Sequence, residues 1–233
     1  MATADRPALP AAVLWDMDGT LVDTEPLWFA AEAAIAERHG VPWGPELSAQ
    51  LVGMPLERYA QMLVERGVAL PAPDLVSALV DIVAAGLDQR ITWQPGVLDL
   101  LAELAAAGVP CALVTMSYRR LADAVVAKAP AGAFRVVVTG DDVEHGKPHP
   151  EPYLRAAAEL GVEPHRCVAL EDSPPGIGSA MASGARTLGV PHMVPVEPRP
   201  GLSRVPTLAG IGLAELARIV AGEDLDLLAA QAD

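Results

Sequence analysis

The sequence predicts an α/β fold, a doubly wound parallel sheet interrupted by an inserted all-helical block. Three observations carry this expectation. Short apolar runs alternate with helical stretches through most of the chain. Those runs are almost continuously apolar, as in strands buried on both faces, where one-sided strands alternate. Between residues 24 and 91 the strand pattern stops and only helical periodicity remains.

Residues 11–16 read as the first strand. In Glu25–His39, Leu27, Ala31, Ala34 and Ile35 fall at helical spacing, and Gly40 ends the helix. Pro45–Arg66 and Pro73–Leu87 read as further helices, each with proline near its start and glycine near its end. After Trp93-Gln94-Pro95-Gly96 the alternation resumes. Val97–Ala107 is a helix, Pro110–Thr115 a strand, Tyr118–Lys128 a helix and Phe134–Thr139 a strand. Pro150–Leu160, Cys167–Leu170, Pro175–Ser183 and Ala185–Val190 continue as helix, strand, helix, strand. Residues 191–206 contain five prolines and read as a loop, with Met193–Val196 a candidate strand extension. Leu213–Val220 is the last helix. The expected division is an α/β core of residues 1–23 and 92–233 around a helical cap of residues 24–91.

Composition narrows the function classes. At 233 residues and 52% hydrophobic, the chain can bury one sizeable core. A net charge of −14 argues against nucleic acid or an anionic membrane as the main partner. A small phosphorylated molecule stays open, provided a local cation holds it. Cys111 and Cys167 stand in apolar runs and match no disulfide or metal spacing, which suits buried thiols in a reducing compartment. No signal peptide is visible, and no window approaches ~18 apolar residues, so a cytoplasmic protein is expected. Nothing in the pattern sets an oligomeric state.

The chemistry is concentrated at strand ends. Residues 12–23 read Ala-Val-Leu-Trp-Asp-Met-Asp-Gly-Thr-Leu-Val-Asp, delivering Asp16 and Asp18 to the turn at Gly19. Residues two apart on a strand share a face, so the two carboxylates repel and call for a cation between them. The second strand ends at Thr115-Met-Ser117, the third leads to Gly-Lys147-Pro-His-Pro, and the fourth ends at Glu171-Asp172-Ser173. Open α/β sheets bind ligands beyond these carboxyl ends. Lys128 and Lys147 are the only lysines among 16 basic residues, which gives the placement of Lys147 added weight. The segment from Asp16 is no EF-hand loop, because Gly19 comes too early and Leu27 replaces the closing glutamate.

In order, these four stations resemble the four signatures of the haloacid dehalogenase superfamily, in its phosphatase and phosphomutase branch. The likeness covers essentially the whole chain and points to a Rossmann-like core bearing a cap, similar to sugar-phosphate phosphatases and β-phosphoglucomutase. It implies that Asp16 is the nucleophile and Asp18 the general acid, then base. Gly19, Thr115 and Lys147 would meet the phosphate. Mg²⁺ would be bound by Asp16, the backbone carbonyl of Asp18, and Asp172, with Glu171 behind them. Trp28, Trp43, Met54 and Arg58 are candidate cap contacts to substrate. Ser117, Asp141, Asp142 and Ser173 are given no chemistry. His145 and His149 read as loop residues rather than metal ligands, since no second histidine–acid grouping supports them.

Within that superfamily the residues favour hydrolysis of a small phosphorylated metabolite, a sugar or polyol phosphate. A dehalogenase has no use for Asp18, because halide leaves without a proton. The cap has no lysine, as the phosphonate-cleaving relatives require for a Schiff base. The family's mutases carry a cap histidine where Trp28 stands, and a Gly-x-x-Arg loop where this chain has Gly53-Met54-Pro55-Leu56. Arg58, two residues further on, keeps the mutase as runner-up. A non-catalytic binding protein is the third reading, but it would not need Asp16, Asp18, Lys147 and Asp172 together.

Overall fold

A computed structural model describes residues 8–49 and 56–229. Six strands form a single parallel sheet: β1 (Ala12–Trp15), β2 (Cys111–Val114), β3 (Val136–Val138), β4 (Cys167–Glu171), β5 (Arg186–Gly189) and β6 (Leu202–Arg204). Their order across the sheet is β3-β2-β1-β4-β5-β6. The direction of winding reverses between β1 and β4, the switch point where such sheets place their ligands. Pairing there is in register from Ala12–Cys167 to Trp15–Leu170, which brings the residues after both strands side by side.

Continuous apolar strands follow from burial on both faces. Val13 and Trp15 of β1 enter one core, with Leu113, Val168 and Leu188. Ala12 and Leu14 enter the other, with Ala112, Val114 and Ala169. The first face is covered by α5 (Val97–Ala107), α6 (Arg119–Lys128) and α9 (Leu213–Val220). The second is covered by α7 (Glu151–Leu160) and α8 (Pro174–Ala182), through Tyr153, Ala156 and Ala180.

Between β1 and β2 lie α1 (Glu25–Arg38), α2 (Pro45–Ala49), α3 (Leu56–Glu65) and α4 (Ala72–Gln89). Among the described residues this block contains no strand. Both α1 and α3 pack on α4, and α4 packs on α6 of the sheet region. The expected helix over 45–66 is represented by α2 and α3, with residues 50–55 outside the described residues. Chain entering and leaving the block runs side by side: Val22 bridges Trp93, and the Asp23 amide donates to the Thr92 carbonyl at 2.9 Å.

The expectation for 191–206 needs correction. Met193–Val196 forms no strand, whereas Leu202–Arg204 adds to the sheet edge as β6. Arg204 ends that strand buried, its guanidinium donating to the Val196 carbonyl at 2.8 Å and to Asp226 at 2.6 Å. A strand of Leu-Ser-Arg has no apolar signature; tertiary hydrogen bonds hold it.

Candidate active site

Asp16 follows β1 directly, and its amide still donates to the Leu170 carbonyl of β4 at 3.0 Å. The chain then folds back tightly. The Leu21 and Val22 amides both reach the Met17 carbonyl, and the fully buried Met17 side chain anchors the turn. Asp16 and Asp18 consequently face the same region, as the period-two reading of the strand requires.

Lys147, on the loop after β3, ties three stations together. Its ammonium donates to Asp16 Oδ1 at 2.6 Å, Glu171 Oε1 at 2.6 Å and the Val114 carbonyl at 2.9 Å. Its side chain is only 6% exposed. The Tyr153 ring of α7 lies beneath it, with the ammonium 5.1 Å from the ring centroid. Burial pulls the lysine pKa down, but Asp16 and Glu171 outweigh burial and hold it above its ordinary value.

Glu171 is fully buried and fully committed. Oε1 also accepts from Tyr153 Oη at 2.8 Å. Oε2 accepts from Ser173 Oγ at 3.1 Å and from the Asp172 and Ser173 amides. Gly176 leaves room for this carboxylate, since a Cβ there would lie 1.8 Å from Oε1. Glu171 thus positions Lys147, and Asp16 and Asp172 are left as the freer acids.

Those two acids are crowded. Carboxylate oxygens of Asp16, Glu171 and Asp172 come within 4.8 Å of one another. Burial and the Glu171 charge lift Asp16 to about 7, against the pull of Lys147. Burial, Asp16 and Glu171 together lift Asp172 to about 9. One ammonium does not balance three buried carboxylates, so the cluster fits a further cation. Its oxygen-only donors suit Mg²⁺. Thr20 steadies Asp172 through a long 3.4 Å bond to Oδ1. Gly19 has φ +89°, and a Cβ there would lie 2.3 Å from Asp172 Oδ2. The glycine that the sequence offers to a phosphate therefore makes room for the Asp172 carboxylate.

Asp18 sits among hydroxyls. Thr24 donates to Oδ1 at 2.6 Å; Ser117 and Thr115 donate to Oδ2 at 2.7 and 3.2 Å. Thr115 in turn accepts the Ser117 amide at 2.9 Å. Glu25 of α1 is lifted to about 7 by burial and the charges of Asp18, Asp23 and Glu32, so the helical block contributes an acid near the turn.

All four sequence stations therefore converge. Ser117, Thr24 and Tyr153 also belong to the site. Ser117 had one usable signal, its place two residues after Thr115; Thr24 and Tyr153 had none. Asp141 and Asp142 instead secure α6, accepting from the Arg119 amide at 2.6 Å and from the Arg119 guanidinium. Cap candidates are less engaged. Arg58 is exposed and pairs with Glu65 at 3.5 Å, Trp28 packs half-buried against the core, and Met54 lies outside the described residues. Trp43 donates to buried Glu32 and to Ser48, both at 3.0 Å. His145 and His149 lie in the loop before α7, as expected, but they do have an acid beside them, Glu151 of its first turn.

Comparison with known proteins agrees with this geometry. A family model described as haloacid dehalogenase-like hydrolase matches residues 10–184. A phosphorylated carbohydrates phosphatase of Thermotoga maritima is 34% identical over 78% of this chain and 85% of its own length. Hexitol phosphatase A of Escherichia coli is 34% identical over 76% of this chain and 81% of its own. Among solved structures, that of CbbY from Rhodobacter sphaeroides in complex with phosphate superposes with a TM-score of 0.80 at 31% identity, covering 89% of this chain and 99% of that one. The chain belongs to the haloacid dehalogenase-like hydrolases.

Proposed function

We propose that this protein is a Mg²⁺-dependent phosphoric monoester hydrolase for a small phosphorylated sugar or polyol, working through an aspartyl-phosphate on Asp16. The observation that carries this reading is the buried junction in which Lys147 joins Asp16 to Glu171 while Asp172 stands alongside. The phosphatase relatives favour the same chemistry.

With Asp16 Oδ1 fixed by Lys147, its Oδ2 attacks phosphorus as the ester P–O bond breaks. Asp18 gives its proton to the departing alkoxide. It then takes a proton from water, which attacks phosphorus, breaks the bond to Asp16 and releases inorganic phosphate. The hydroxyls of Thr24, Ser117 and Thr115 hold the Asp18 carboxyl in place for both transfers. Asp16, the Asp18 carbonyl and Asp172 are the groups that would hold Mg²⁺. When bound, the ion draws charge from the phosphoryl oxygens, so that an anionic nucleophile can approach.

Residues 24–91 act in this reading as a cap that closes over substrate and excludes water. They hang on the paired crossings at Val22 and Trp93. Buried free Cys111 and Cys167 fit a cytoplasmic setting. The mutase alternative lacks its cap histidine, Trp28 standing in that place.

The test is a phosphate-release screen over phosphorylated sugars, polyols and nucleotides, with Asp16→Asn as control. Sugar or polyol phosphates should be hydrolysed best, and Asp16→Asn should fold and show no turnover. Retained turnover in that variant removes Asp16 from its role. Efficient conversion of β-glucose 1-phosphate to the 6-phosphate, with the bisphosphate present, gives the case to the mutase.

A further inference from the structure

We infer that the protein carries a second, outer metal site, distinct in ligand chemistry from the acid cluster. It would bind a first-row transition cation of the Zn²⁺ type through His145, His149 and Glu151. The three residues bracket Lys147 in the sequence His-Gly-Lys-Pro-His-Pro-Glu. One ligand atom from each lies within 4.8 Å of the others. Glu151 Oε2 is 3.0 Å from His145 Nδ1 and 4.0 Å from His149 Nδ1. A tetrahedral ion with bonds of about 2.1 Å needs ligand atoms roughly 3.4 Å apart, so each imidazole–carboxylate separation is within about half an ångström of that, and the two imidazoles lie within 4.8 Å of each other.

The carboxylate is held in place before any ion arrives. The Glu144 amide donates to Glu151 Oε1 at 2.8 Å and the His145 amide to Oε2 at 3.0 Å. The Glu151 amide donates to His149 Nδ1 at 3.2 Å, a weak bond that metal binding would replace. The two imidazole rings lie 4.7 Å apart, centroid to centroid, with their planes tilted by 34°. Side-chain exposures of 57% for His145, 51% for His149 and 30% for Glu151 leave the cluster open to solution.

Ligand type separates this site from the inner one. Two imidazoles and one carboxylate suit Zn²⁺, Ni²⁺ or Cu²⁺, whereas Mg²⁺ prefers oxygen donors and keeps its water. Both sites can therefore be filled at once, each by its own ion. The outer ion would clamp the shoulders of the turn whose middle residue is Lys147. That turn is already tied to α8, where Ser179 Oγ donates to the His149 carbonyl at 2.6 Å. An occupied outer site thus stiffens the loop that presents the ammonium to Asp16.

The experiment titrates Zn²⁺ into the full chain held in excess Mg²⁺, following ring resonances of the five histidines by NMR. His145 and His149 should move together and saturate at one equivalent, while His39, His165 and His192 stay in place. By calorimetry, a His145→Gln/His149→Gln variant should bind Zn²⁺ at least about tenfold more weakly. Asp172→Asn should leave the outer transition unchanged. Unmoved His145 and His149 rings, or equal affinity in the double variant, would overturn the site. Activity is not the readout, so failure here leaves the hydrolase reading intact, and failure of that reading leaves this site testable.

Discussion

Replacing Lys147 with methionine keeps the length of the side chain and deletes its charge. The structure predicts a large loss of stability. Wild-type Lys147 makes two 2.6 Å charged hydrogen bonds in a nearly water-free setting. Removing one partner of a buried ion pair costs about 3–5 kcal/mol, because the abandoned charges stay buried. For a chain of this size, each kcal/mol lowers Tm by about 2–4 °C, so a fall of roughly 6–20 °C is expected. The loss should also depend on pH, with a definite sign. Folded Asp16 and Asp172 bind protons up to about 7 and about 9, well above unfolded aspartate. Without the ammonium they bind protons more strongly still. The lysine proton is absent from both folded and unfolded variant and so cancels. Relative to its unfolded chain the folded variant holds more protons on these two acids, and its stability falls faster as pH rises. Urea unfolding in EDTA, followed by circular dichroism at about pH 5.5 and about pH 8, reads both effects. A loss under about 1 kcal/mol at the higher pH, or an equal loss at both, would refute the buried junction as drawn.

Two further outcomes are expected. Gly19→Ala places a side chain at φ +89° and a methyl 2.3 Å from Asp172 Oδ2; it should cost about 2 kcal/mol or more and weaken Mg²⁺ binding, while an unchanged Tm would contradict the close approach. Mg²⁺ affinity should climb between about pH 6 and about pH 9, because Asp16 and Asp172 must shed protons to bind it, and a flat calorimetric profile over that range would count against the cluster as ligand.

The legible parts of the sequence were those with a strong local cause. Strands β1 to β4 are legible because burial demands apolar runs; β5, Arg-Thr-Leu-Gly, is legible by its place after α8 more than by its composition. The acids announced themselves because carboxylates directly after such runs have no ordinary packing role. Leu202–Arg204 gave no warning: an edge strand of three residues is stabilised by its neighbour β5 and by Asp226, which only the fold brings near. Tyr153 was silent for a related reason. On α7 it resembles any core aromatic, and its bond to Glu171 joins residues 18 apart in sequence. Arg58 pairs with Glu65, seven residues on along α3, a partner that no motif in the sequence singles out. The carboxylate beside His145 and His149 comes from Glu151, which the first turn of α7 brings back toward the loop.

The bridge between Val22 and Trp93 has an evolutionary corollary. A module whose two ends emerge as neighbours can be exchanged, lengthened or trimmed without shifting the register of any strand. On the function proposed above, the groups that break the bond and those that would meet the rest of the substrate lie on opposite sides of that seam. Changes confined to one side of it would leave the acids at the strand tips where they are.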